Sequence, residues 1–166
     1  MVTTSTSTSL SADQLKYLCQ HEPGEAVAGA LSDLLTSDHY LLEINANERS
    51  ISFRFAMYLQ TRLPNWKVDC EFNRDGVEPK RLAGLDLRPD SHDEEAKTVF
   101  PDVIVHERGT KKNFLVIEFK KSTSRVDRSI DRLKLEGYKQ QLGYRFALFV
   151  EIGAGDQANV KELKWV

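Results

Sequence analysis

The sequence predicts one mixed α/β domain built on a central sheet. Three observations carry this. Apolar residues recur at three- and four-residue steps up to Pro64-Asn65, and at steps of two soon after. Two short apolar runs, 113–120 (NFLVIEFK) and 145–152 (RFALFVEI), are separated by one stretch of helical composition. The length, 166 residues, fits one domain and leaves no room for two of ordinary size.

The elements follow in order. Ser11 and Gln14 have the spacing of a capping box, ahead of Leu15, Leu18 and Cys19 at helical steps. Pro23-Gly24 ends that segment. A second helix is expected over 25–36, with Val27, Ala30, Leu31, Leu34 and Leu35 as its apolar stripe. A third is expected over 47–63, where Ile51, Phe55, Tyr58, Leu59 and Leu63 share a face. Val68, Cys70 and Phe72 then alternate with polar neighbours, the pattern of a half-buried strand. Asp75-Gly76 is a turn signal. Residues 77–97 are acidic and unpatterned, and read as a long loop. Strands are expected over 99–106 and 113–120, joined as a hairpin through Arg108-Gly109-Thr110. A helix over 127–141 turns Ile130, Leu133, Tyr138 and Leu142 inward. A buried strand over 145–152 and an edge strand over 161–166 complete the chain.

Hydrophobic residues make up 40% and charged residues 29%, a globular balance. The longest apolar run is five residues, Phe146 to Val150, so no membrane span is expected. The two cysteines, Cys19 and Cys70, cannot form a disulfide framework and suit a reducing, cytoplasmic setting. Residues 1–10 are Ser/Thr-rich, lack the pattern of a secretory signal, and read as a flexible leader to a single domain over 11–166.

The net charge of −2 hides an uneven distribution. Residues 108–145 carry 11 basic and 4 acidic groups, a surplus of seven positive charges, inside an otherwise acidic chain. Such a stretch suits either a field aimed at phosphates or a set of solvated helix faces.

The anomaly lies in the hairpin. Asp102 opens the run Val103-Ile104-Val105, and Glu118 and Lys120 interrupt the second apolar strand. Strand period two puts Glu118 and Lys120 on one face, with Ile117 and Phe119 on the other. The hairpin brings Asp102 beside Glu118. Two neighbouring carboxylates in a core must protonate, pair or share a cation. Mg²⁺ suits one or two carboxylates completed by water and phosphate oxygens. Glu48, three residues before Ile51 on the third helix, is a third acid directed at the core. Acids that hold a metal, with a lysine to orient water or neutralise developing charge, are the residue types of phosphodiester hydrolysis. The bland alternative is a local ion pair at a strand end.

Pro101-Asp102, fifteen intervening residues and then Glu118-Phe119-Lys120 resemble the signature of the PD-(D/E)XK nuclease superfamily. The order of elements around it, over about 45–152, resembles the restriction endonuclease-like core, with extra N-terminal helices. Pro89-Asp90 also reads "PD", but no apolar strand follows it. Asn47-Glu48-Arg49, Glu71-Phe72-Asn73-Arg74 and the run from Pro101 to His106 look like short, stand-alone members of the superfamily. The resemblance implies a metal-dependent DNA endonuclease. Asp102 and Glu118 would ligate Mg²⁺ or Mn²⁺, helped by a carbonyl of Ile117 or Phe119. Glu48 would join the metal shell, and Lys120 would position water. The later helix would supply Lys134 and Gln141, with Gln140 as competitor. Products would end in 5′-phosphate and 3′-hydroxyl, and a homodimer would suit the cutting of two strands.

Arg74 and Lys121 are further candidates for phosphate contact, as are Lys111, Lys112, Arg125 and Arg128. Nucleic-acid affinity is expected to be weak at physiological salt and to fall steeply as salt is added. Asp69 and Glu71 share a strand face and read as solvent-facing acids. Gly153-Ala154-Gly155 reads as a turn. The contrasting expectation is a nuclease-like module that binds nucleic acid or protein without cutting, within a defence or repair complex.

Overall fold

The computed structural model describes residues 8–83 and 97–166. Its elements are α1 (Ala12–Leu18), α2 (Gly24–Ser37), α3 (His39–Glu43), α4 (Glu48–Arg62), β1 (Lys67–Cys70), β2 (Arg74–Asp75), β3 (Glu78–Pro79), β4 (Arg81–Leu82), β5 (Lys97–Thr98), β6 (Val103–His106), β7 (Asn113–Lys121), α5 (Arg128–Leu142), β8 (Phe146–Ile152) and β9 (Val160–Trp165). A single 3-10 turn, Gly155–Gln157, precedes β9. The expected mixed α/β domain is present: a five-stranded mixed sheet flanked by helices. No helix of the described residues is long and apolar enough to cross a membrane.

The sheet runs β1-β6-β7-β8-β9. The β7–β8 pair is parallel and the other three are antiparallel. A parallel pair needs a crossover, and α5 provides it. Strand alternation divides the core in two. Val103, Val105, Leu115, Ile117, Phe119, Leu148 and Val150 face α2 and α4. Ile104, Val116, Ala147 and Phe149 face Leu135 and Tyr138 of α5. Phe55 of α4 meets Phe119 edge-on, with ring centroids 5.1 Å apart, and seats that helix on the sheet.

Local sequence accounts for the boundaries. Both hydrogen bonds of the Ser11–Gln14 capping box form. The Asn47 side chain accepts from the Ser50 amide and starts α4. Gly143, at φ 69°, closes α5 in the left-handed conformation that glycine adopts cheaply.

Four expectations change. The strand after Pro64 stops at Cys70 rather than running on through Phe72, because Glu71 turns out of the sheet at φ 49°. The expected loop over 77–97 is paired at both ends, Glu78–Pro79 with β2 and β4 with β5; its part over 84–96 lies outside the described residues. The strand expected from residue 99 begins at Val103. In α5 the buried face carries Asp131, Leu135 and Tyr138, while Leu133 is 44% exposed. The inward stripe is therefore rotated from the expected one: it keeps Tyr138 but turns toward the side that carries Asp131 and Leu135. Residues 1–7 of the expected leader also lie outside the described residues.

Candidate active site

Glu118 and Lys120 lie on the face of β7 that α5 covers, as their spacing from Val116 requires. Asp102 immediately precedes β6 and stands next to Glu118, with a side-chain hydrogen bond between the two acids. Asp102 Oδ2 also accepts from the Phe119 amide at 2.7 Å. The β6–β7 ladder ends at the Val103–Ile117 pair, so the Asp102 carboxylate takes the place that a further strand residue would fill. The N–H and C=O of one strand residue point to the same side, so the Phe119 carbonyl faces this gap. Ile117 is paired within the ladder, which leaves Phe119 as the stronger carbonyl candidate.

Helix α5 completes the cluster with three side chains. Lys134 Nζ lies 3.3 Å from Glu118 Oε2 and 3.6 Å from Asp131 Oδ1. Lys120 Nζ lies 3.0 Å from Asp131 Oδ2. The Tyr138 hydroxyl donates to Glu118 Oε1 at 3.0 Å. Asp131 was not expected from the sequence, and Tyr138 was expected only as an inward residue, not as a partner of Glu118. Their signal is the i, i+4, i+7 row Asp131-Leu135-Tyr138, hidden because its first member is charged.

Glu48 opens α4 on the other side of the sheet and reaches the end of β7. It is half-buried rather than in the core. Lys120, Asp102 and Asp131 act on its charge, and the Lys121 backbone hydrogen-bonds its carboxylate. Lys121 sits at the rim, with Nζ donating to the Asn45 carbonyl at 3.4 Å.

Burial dominates the electrostatics. It pushes the Glu118 carboxyl well above the ordinary carboxylate range; Asp102 adds to this, and Lys134 opposes it. Burial also raises Asp102, against the Phe119 amide, the Glu118 hydrogen bond and Lys134. Glu48 is raised by burial, with Lys120 opposing and Asp102 adding. Burial alone would lower Lys134, but Glu118, Asp131 and Asp102 outweigh it and hold the ammonium charged.

These residues suit a hard divalent cation. Asp102 and Glu118 are adjacent, desolvated oxygen donors whose mutual repulsion a cation relieves, and Asp131 and Glu48 are the further acids near them. Among the described residues no group of three or more His, Cys, Asp or Glu converges so as to hold a metal ion; water and phosphate oxygens would have to complete the shell of an ion on the acid pair. Glu118 and Asp131 are instead turned onto the two lysines.

Two expected residues are not brought here. Gln141 clasps the Ala83 backbone, accepting from its N–H at 2.8 Å and donating to its carbonyl at 2.9 Å. Arg74 lies on β2 beside Asp75, which Asn113 and Lys111 bind. Asn113 starts β7, five residues and roughly 17 Å along the strand from Glu118.

The positive stretch over 108–145 is mostly neutralised within the fold. Arg108 pairs with Asp69, Lys111 with Asp75, Lys112 with Glu107, Arg128 with Glu151, Arg132 with Glu162 and Arg145 with Glu22. Asp69 also meets His106, at 2.7 Å, and Glu71 is held by Arg49 at 2.8 Å, so both acids have protein partners. Beside them Lys80 is fully buried over the Phe72 ring, and burial brings its amine down to about 8.

Set against models of protein families, curated proteins and solved structures, the chain matches none of them.

Proposed function

We propose that this chain is a divalent-cation-dependent phosphodiesterase acting on nucleic acid, in the first instance a DNA endonuclease, on a restriction endonuclease-like core. The observation that carries the reading is the pairing of Asp102 with Glu118 across the β6–β7 hairpin, with Lys120 two residues further along the same strand face and held by Asp131. A buried acid pair next to a lysine is costly to maintain for stability alone.

Asp102 and Glu118 would hold Mg²⁺ or Mn²⁺, assisted by Glu48. When bound, the cation supplies a Lewis acid for the phosphate oxygens and makes water more acidic. Lys120 holds the attacking water by hydrogen bond and offsets negative charge as it grows on phosphorus. The water gives up a proton to solvent as its oxygen bonds to phosphorus, while the opposite P–O3′ bond breaks. The 3′ oxygen leaves with a proton from solvent, and the phosphate stays on the 5′ side. Tyr138 keeps Glu118 in orientation through its hydrogen bond.

A non-cutting binding module is the second reading. The pairing of most cations over 108–145 favours its protein-binding form, since few remain to grip a phosphate backbone. One panel separates the two: supercoiled plasmid, single-stranded DNA, branched DNA and RNA, with Mg²⁺ or Mn²⁺ and with EDTA. The enzyme reading predicts metal-dependent cutting of at least one substrate, 5′-phosphate ends, and loss of cutting in Asp102→Asn. Intact substrates throughout, with folded protein, contradict it.

A further inference from the structure

Lys134 has no part in the chemistry above, yet it is placed with care. Its ammonium bridges one oxygen of Glu118 and one of Asp131, at 3.3 and 3.6 Å. Those carboxylates are 2% and 5% exposed. A divalent ion can equally be held between oxygens of two buried acids, and a two-metal site places a second ion beside the first. The other Asp131 oxygen lies 3.0 Å from Lys120 Nζ as an ion pair, without the geometry of a hydrogen bond. An ammonium thus flanks Asp131 on each side, while Asp102, Glu48 and Glu118 Oε1, which accepts from Tyr138, form no ion pair with a lysine among the described residues.

The charge agrees. With every acid ionised, as a bound cation requires, Glu48, Asp102, Glu118 and Asp131 against Lys120 and Lys134 leave a formal charge of −2. One divalent ion cancels it. A second would leave the buried cluster as positive as it had been negative, beside two ammonium groups. The position of Lys134 is fixed by the fold. Leu135 and Tyr138 of the same helix are fully buried against the sheet, and Asp131 and Lys134 share the row beside them.

We infer that Lys134 is a built-in cation standing where a second metal ion would sit, so that the site takes one divalent cation per chain. The inference rests on the cation-site reading above and does not require that the chain cut nucleic acid.

Equilibrium dialysis of the full chain against Mn²⁺ tests it, with Lys134→Met and Lys134→Arg alongside and melting curves to show folding. Methionine keeps an unbranched chain and removes the charge; arginine keeps the charge. The expected result is one Mn²⁺ per chain for wild type and Lys134→Arg, and two for Lys134→Met. Two ions in the wild type overturn the inference, as does a folded Lys134→Met that still takes one. If Lys134→Met folds only with Mn²⁺ present, its stoichiometry is read at saturating ion and the same criterion holds. One ion bound with no cleavage of any substrate supports the single-ion site and sinks the phosphodiesterase reading. No Mn²⁺ bound overturns both.

Discussion

Glu118, 2% exposed, is surrounded by Asp102, Asp131, Lys134 and Tyr138. Its carboxyl titrates higher in the folded chain than in the unfolded one. The folded state therefore holds the proton longer as pH rises. The stabilising contribution of that proton is complete below the unfolded value and is lost as pH climbs through the folded one. In EDTA, Glu118→Gln should raise the melting temperature, and its advantage over wild type should grow from about pH 4.5 upward. A constant difference across that range would contradict the direction of the shift. Tyr138→Phe removes a hydrogen bond to the same carboxyl and should cost about 1–3 kcal/mol in urea unfolding. Asp102, Glu118 and Lys120 were legible in the sequence because strand alternation is strict: an acid two residues from a lysine must share its face. Asp131 was not, because a helix stripe is read from its apolar members and this one begins with an acid; Tyr138 was legible as buried but not as a partner of Glu118.

The α5 helix shows the same point at the scale of the element. Ile130, Leu133, Tyr138 and Leu142 suggested one inward face, while the structure keeps Tyr138, buries Leu135 and leaves Leu133 44% exposed. Leu135→Ala should cost about 2–5 kcal/mol, and Leu133→Ala within about 0.5 kcal/mol of nothing, by chemical denaturation. Equal costs would mean that the helix sits in the rotation suggested by its apolar residues, and Asp131 and Lys134 would then leave the site. Helices α2 and α4 were legible because their stripes are long and wholly apolar. Helix α3, five residues with only Leu42 buried, is too short to show a period. The early end of β1 was hidden for another reason. The alternation of Val68, Cys70 and Phe72 continues past it, and only the positive φ of Glu71 breaks the strand. Between α1 and α2, a Cβ on Gly24 would lie 1.8 Å from the Leu18 carbonyl oxygen. Gly24→Ala should destabilise by roughly 3 kcal/mol, the cost of overpacking against backbone that cannot yield.

Across the whole molecule the charge of a segment proved a poor guide to its surface. Residues 108–145 looked like a phosphate-binding field, but their cations reach acids drawn from distant parts of the chain, among them Glu22, Glu151 and Glu162. No sum along the sequence can show such pairing, because the partners meet only when the sheet is assembled. This changes the expected response to salt. Seven phosphate contacts would give a slope of about −6 in log affinity against log salt; two or three give about −2 to −3. Anisotropy titrations of labelled DNA, with Lys120→Ala to prevent cutting, should return the shallow value. A slope near −6 would mean that the ion pairs open when nucleic acid arrives.

The central claim is that the acid pair and lysine on the β6–β7 hairpin carry phosphodiester hydrolysis. The most direct measurement is single-turnover cleavage of the panel substrate that wild type cuts, by wild type and Lys120→Ala at saturating Mn²⁺, with ion binding measured on both. The account predicts a fall of at least about 100-fold in the cleavage rate, consistent with loss of a group acting on the attacking water, while Mn²⁺ still binds. A rate within about threefold of wild type, with the ion bound, would contradict it.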